Sequence, residues 1–201
     1  MRLIAVTNDR MASAQLIRTL LKIEHSIDAV VLREKSKTDA ELIDLIQTLK
    51  AAGLDESKII VHGRTDIATM TGIKKVQLPG HGVPLTLVKK HFPGLSFGRS
   101  VHSIEEAEVA YKAGADWLLY GHLYATGSKD GLPPRGTEEL FRIAASLPIP
   151  VYAIGGIKPE HLPPLHQGGI AGVAIMSSIF SSDDPDKVTM AYKEEFHAKK
   201  R

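Results

Sequence analysis

The sequence predicts a (β/α)₈ TIM barrel built as one domain over residues 1–201. Three observations carry that prediction. Eight short apolar runs recur along the chain: Leu3–Val6, Ala29–Leu32, Ile59–Val61, Val76–Leu78, Leu95–Phe97, Trp117–Tyr120, Val151–Ile154 and Gly172–Ile175. Most are followed by a stretch of helical period. No linker, low-complexity tract or shift in composition divides the chain. Near-continuous apolar strands alternating with amphipathic helices describe a parallel sheet covered by helices. Eight such units close a barrel, at the small end of its size range. The competitor is an open doubly wound sheet, but Val6-Thr7-Asn8-Asp9-Arg10 stands where that fold carries its glycine-rich fingerprint.

The helices announce themselves by their starts. Thr38-Asp39-Ala40-Glu41 has capping-box spacing, and Leu42, Leu45, Ile46 and Leu49 then make one apolar face. Ser103-Ile104-Glu105-Glu106 repeats the box, followed by Ala107, Ala110, Tyr111 and Gly114. Thr137 precedes Glu138-Glu139, with Leu140, Ala144 and Leu147 on one side. Asp184-Pro185 starts the last helix, with proline in its first turn. The basic tail His197–Arg201 reads as a frayed helix end.

Composition narrows the function classes. The hydrophobic share of 43% and charged share of 24% are those of an ordinary globular domain. A net charge of +2 favours neither nucleic acid nor a membrane surface as partner. The absence of cysteine removes disulfides, thiolate catalysis and cysteine-type zinc sites. No apolar run approaches the roughly 20 residues that span a bilayer. Met1–Val6 enters a strand pattern at once, without a signal-peptide layout, so a cytoplasmic location is expected.

Chemistry in such a barrel sits where strands end. Trp117–Tyr120 runs into His122, and a loop with Thr126, Ser128 and Lys129 follows. Histidine is the side chain suited to moving protons near neutrality, though one of nine histidines is more often a hydrogen-bonding spacer. His62, His81 and His102 have weaker claims, and their spacing matches no metal site. Gly155-Gly156 after the seventh run and Met176-Ser177-Ser178 after the eighth suit phosphate, since glycine admits close approach to backbone N–H groups. The plainer reading of the glycines is a tight turn. Arg33, Lys35 and Arg64 would crowd one rim and suit a carboxylate or second phosphate. Against that, Arg33-Glu34-Lys35 could satisfy itself on the surface. Ser100 lies beyond the fifth run.

Val31–Lys35, Gly114–Lys129, Pro133-Pro134-Arg135-Gly136 and Ala153–Ile157, taken in order, resemble thiamin phosphate synthase over nearly the whole chain. That resemblance implies a barrel joining a hydroxymethylpyrimidine diphosphate to a thiazole phosphate, with magnesium. The sequence departs from the synthase at three places. His62-Gly63 stands where the family carries Asn-Asp, Pro79-Gly80-His81-Gly82 where it carries another aspartate, and Gly121-His122 where it carries Gly-Pro. The combination resembles the sister group, the TenI-type thiazole tautomerases. What this implies is an isomerase of thiamin biosynthesis, converting a carboxylated thiazole phosphate to its aromatic form with no metal or other cofactor. In that reading His122 moves the proton. Gly155, Gly156, Met176, Ser177 and Ser178 hold phosphate. Arg33, Lys35, Arg64, Ser100, Thr126 and Lys129 contact the rest of the substrate, its carboxylate falling to Arg33, Thr126 or Lys129. Two alternatives stay open: a metal-dependent thiamin phosphate synthase, and a non-catalytic regulatory protein that binds thiazole phosphate. The expected partner is the small-molecule thiazole phosphate, with no nucleic acid and no membrane; a homo-oligomer stays open.

Overall fold

The computed structural model describes residues 1–127 and 131–197, and its eight parallel strands close into a barrel in sequence order. The strands are β1 (Arg2–Val6), β2 (Ala29–Leu32), β3 (Ile59–His62), β4 (Lys75–Leu78), β5 (Ser96–Val101), β6 (Trp117–Gly121), β7 (Val151–Ile154) and β8 (Gly172–Ile175). Closure is made by β1 against β8, with Leu3 opposite Val173. The helices are α1 (Ser13–Ile23), α2 (Asp39–Ala51), α3 (Thr65–Thr71), α4 (Leu85–His91), α5 (Ile104–Lys112), α6 (Glu138–Ser146), α7 (Leu162–Gln167), α8 (Ser177–Phe180) and α9 (Pro185–His197). Among the described residues no helix is long and apolar enough to cross a membrane.

The apolar runs are near-continuous because both faces of each strand are buried. Outward residues such as Leu3, Val30, Val61, Phe97, Leu118 and Val173 join the sheath core beneath the helices. Inward residues Ile4, Val6, Val31, Ile60, Leu119, Tyr152 and Ala174 fill the barrel itself. Alternation therefore decides which residue at each strand end looks into the mouth.

Local signals act as expected at α2. Thr38 Oγ1 accepts from Glu41 N, Glu41 Oε2 accepts from Thr38 N, and Leu42, Leu45, Ile46 and Leu49 are buried. Four expectations need correction. The expected run Leu95–Phe97 starts at Ser96 and continues to Val101, so Arg99 and Ser100 are strand residues. At α5 Ser103 accepts from Glu106 N, but Glu106 Oε2 takes the His102 N–H, leaving the box open. Tyr111 is exposed, and Ala107 and Ala110 carry the buried face. Thr137 makes no side-chain cap at α6, and Glu139 instead reaches across to accept from Tyr120 Oη and Ile104 N.

Candidate active site

One cavity of about 340 Å³ opens at the carboxyl ends of the strands, the face where barrel enzymes carry their chemistry. It is lined from β2 by Arg33 and Lys35, from β3 by His62, from β4 by Gln77, and from β5 by Ser100 and His102. His122 and Thr126 come from the end of β6, Gly155 and Gly156 from β7, and Met176, Ser177 and Ser178 from β8. Residues far apart in sequence meet here because each ends a strand at the same rim.

The two glycines serve packing as well as access. Gly155 has φ +103°, and a Cβ there would lie 2.4 Å from His122 Cβ. Gly156 has φ +65°, and a Cβ would lie 2.4 Å from Ala125 O and 2.7 Å from Tyr124 O. Both angles are in the region that favours glycine. The loop after β6 thus lies directly on the loop after β7, fastened by Leu123 N to Ile154 O and Tyr124 N to Gly155 O, each at 3.0 Å. Tyr124 also stacks on His161 at 3.9 Å between ring centroids. Below the glycine and serine loops, buried Tyr192 of α9 donates to Ile157 O at 2.8 Å.

The basic rim is not self-satisfied. Glu34 turns inward to meet Lys37 Nζ at 2.7 Å, and its side chain is 1% exposed. Arg33 and Lys35, on either side, line the cavity, and among the described residues neither makes an ion pair within 4.0 Å. The surface-pairing alternative for this triplet is therefore corrected. Arg64 goes the other way. It stands just before α3, where hydrogen bonds to Asp39 and Asp66 hold its guanidinium and keep its pKa above the ordinary value. It does not line the cavity, because two carboxylates on α2 and α3 outcompete the mouth for it. Lys129 lies outside the described residues.

His62 is pushed down to about 4, first by burial and then by the nearby Arg33 and Lys35 charges. It is neutral at physiological pH. His102 Nδ1 lies 2.6 Å from Gly121 O, which requires the proton on Nδ1 and leaves Nε2 as acceptor in the neutral ring. His122 Nε2 lies 3.3 Å from Leu132 O. Arg135 N and Gly136 N return to His122 O and Leu123 O at 3.1 Å, and Arg135 Nη1 donates to His102 O. Pro133–Gly136 thereby ties the far end of the loop back to β6.

Sequence reasoning passed over Gln77. Val76-Gln77-Leu78 reads as an apolar run, yet Gln77 lines the cavity and is 2% exposed. A polar residue alternating with two apolar ones was the available signal.

Magnesium, which the resemblance implies, is met by oxygen ligands. Gly63 and the Gly80-His81-Gly82 turn supply no carboxylate to this mouth, and its remaining charged side chains are cations. Among the described residues no group of three or more His, Cys, Asp or Glu could hold a metal. The residues present do not fit the ion.

A closed parallel barrel whose mouth carries a glycine and serine rim from β7 and β8 and two cations from β2 is a (β/α)₈ protein with its polar residues gathered at the carboxyl ends of the strands. The chain belongs to the thiamine monophosphate synthase family (TMP-TENI), whose pattern matches residues 3–179. A thiamine-phosphate synthase of Chlorobium luteolum is 36% identical over 164 residues, 79% of this chain and 76% of that protein. One of Pyrococcus furiosus is 31% identical over 185 residues, 92% of this chain and 89% of that protein. The structure of a thiamine phosphate pyrophosphorylase from Pyrococcus furiosus superposes with a TM-score of 0.85 at 28% identity, covering 98% and 96% of the two chains. These names overturn the tautomerase expectation. Relatives at 31–36% identity over most of the chain are named thiamine-phosphate synthase or putative thiamine-phosphate synthase, in line with the alternative rather than the main reading.

Proposed function

We propose that this chain is a thiamine-phosphate synthase, a transferase of thiamin biosynthesis. It would join a hydroxymethylpyrimidine diphosphate to a thiazole phosphate. The observation that carries the reading is the polar lining of one mouth by two groups of residues: Gly155, Gly156, Ser177 and Ser178 at the ends of β7 and β8, and Arg33 and Lys35 after β2. A cavity with two separate places for phosphoryl groups suits two phosphorylated substrates. The names of the relatives support the same reading.

The reaction asks little covalent chemistry of the protein. The thiazole nitrogen donates its lone pair to the pyrimidine methylene carbon. A C–N bond forms, the C–O bond breaks, and pyrophosphate leaves with the electron pair. Orientation of the two rings and neutralisation of the growing negative charge on pyrophosphate are what remain. Backbone N–H groups around Gly156 and Ser177, with the Ser177 and Ser178 hydroxyls, would anchor the thiazole phosphate. Arg33 and Lys35 would meet the diphosphate. Met176 and Thr126 would flank the rings, and Ser100 would offer a hydroxyl from β5. No proton is transferred in this step, so His122 serves as a hydrogen-bonding wall rather than as a shuttle.

The test is direct. Incubate the protein with both substrates and separate the products by chromatography, with and without EDTA. Thiamin phosphate and pyrophosphate in equal amounts are expected in both conditions, since the mouth supplies cations of its own. No coupling in either condition, with thiazole phosphate still bound, would replace the transferase by a binding protein.

A further inference from the structure

A row of side chains crosses the floor of the cavity at one level of the barrel. Gln77 of β4 is in register with Gly98 of β5, and Gly98 with Trp117 of β6. Trp117 Nε1 donates to Gln77 Oε1 at 2.8 Å. An indole N–H can only donate, so it dictates which end of the amide it faces. The amide nitrogen is turned to the opposite side, where it donates to Ser100 Oγ at 3.2 Å and Leu78 O at 3.3 Å. Gly98 makes the row possible: a Cβ there would lie 2.0 Å from Trp117 Nε1 and 2.4 Å from Gln77 Oε1. Gln77 and Ser100 line the cavity, and Trp117 sits behind them.

The plainer reading is that the row is packing, with a buried amide merely satisfied. Its polarity says more. Each link is directional, and the direction starts from a group that cannot reverse. A serine hydroxyl has two lone pairs and one hydrogen. With Gln77 donating to a lone pair, the hydrogen remains available to an acceptor in the cavity that Ser100 lines.

We propose that Trp117 and Gln77 are positioning residues that set the Ser100 hydroxyl as a hydrogen-bond donor to the bound ligand. The floor then selects ligands presenting an acceptor at that point, a phosphoryl oxygen or a bare ring nitrogen, over those presenting N–H. The inference rests on the reading of this cavity as the substrate site.

Calorimetric affinities test it, with inorganic pyrophosphate and thiazole phosphate as probes between pH 6 and 9. In Gln77→Glu the introduced carboxylate accepts from both Trp117 and Ser100, capturing the serine hydrogen. The expected loss is roughly tenfold for the probe that Ser100 meets, matching Ser100→Ala. The double variant loses no more than either single. The Gln77→Glu loss deepens as pH rises and the carboxyl ionises, whereas a shape effect would be flat. Trp117→Phe, which unlocks the amide, gives a several-fold loss that vanishes in a Ser100→Ala background, and keeps the test alive if Gln77→Glu does not fold. Trp117 is the chain's single tryptophan, so its emission reports the same contact: a ligand-induced change in wild type, absent in Ser100→Ala. A response to pyrophosphate places the hydroxyl on the diphosphate; a response to thiazole phosphate alone places it on an acceptor of that ligand. Additive losses, a pH-independent Gln77→Glu loss, or no response from either probe overturns the proposal. Wild type that binds a probe through Ser100 yet fails to couple the two substrates would sink the transferase reading and leave this one standing.

Discussion

At the scale of single residues, Gly156 meets two demands at once. Its positive φ and the loop backbone 2.4 Å from any Cβ both exclude side chains. Gly156→Val should therefore destabilise the fold by about 2 kcal/mol or more and weaken thiazole phosphate binding at least tenfold. Thermal melts and calorimetry measure the two effects; unchanged affinity would remove Gly156 from the phosphate site. His122 bears on the chemistry. Positioned proton transfer is worth about 10² to 10⁴ in rate. His122→Gln should stay within about tenfold of wild type in coupling, because this bond exchange moves no proton. His62 supplies a pH signature. Its pKa, about 4, lies below the unfolded value near 6.5, so the unfolded chain binds more protons between those values. The sign follows: its contribution is complete above about pH 6.5 and is lost as pH falls towards 4, by about 3 kcal/mol in all. Denaturant melts of wild type and His62→Gln across that window should diverge, with wild type losing more. Parallel curves would show that the neutral ring contributes nothing.

At the scale of elements, the C-terminal helix α9 is a brace for the site. Tyr192 is 2% exposed and carries its phenol to Ile157 O, directly beneath the glycine and serine loops. Tyr192→Phe removes that hydrogen bond and leaves a buried carbonyl unmet, at a cost of about 1 to 2 kcal/mol. Because Ile157 follows Gly156 directly in the chain, inorganic phosphate affinity should fall as well. A melt shifted with affinity intact would make α9 a structural strut only. The loop after β6 is held in the same manner, by backbone bonds to β7 and by the return of Pro133–Gly136 to His122 and Leu123. Short strands fix both ends of each loop, so side chains in them are placed more narrowly than loop length alone would allow.

At the scale of the whole molecule, the barrel brings cations from β2 and the glycine and serine residues of β7 and β8 to one mouth. A ligand bound to the native state alone raises its stability in proportion to the logarithm of concentration. Pyrophosphate at 100 times its dissociation constant should add about 2.7 kcal/mol, seen as a rise in melting temperature. Arg33→Ala should lose most of that rise in EDTA as in magnesium. A rise that appears only with magnesium would show that a metal, not the rim, meets the anion.

Much of this was legible in the chain itself. The eight apolar runs and their period determined the barrel, because strands buried on both faces cannot alternate and must read as continuous. The strand-end rule then put Arg33, Lys35, His122, Gly156 and Ser177 at one mouth. Other features were decided only by tertiary packing. Arg64 has the same strand-end place as Arg33, yet Asp39 and Asp66 lie close enough in space to take it, and nothing in local spacing says so. Glu34 looks like a partner for its neighbours, but burial against Lys37 turns it away and leaves them to the cavity. Gln77 gains its meaning from Trp117 and Ser100, which are 40 and 23 positions away and meet it only through sheet register. Periodicity reports which face of an element is buried. Which charges find each other across that face depends on distances that exist only once the barrel has closed.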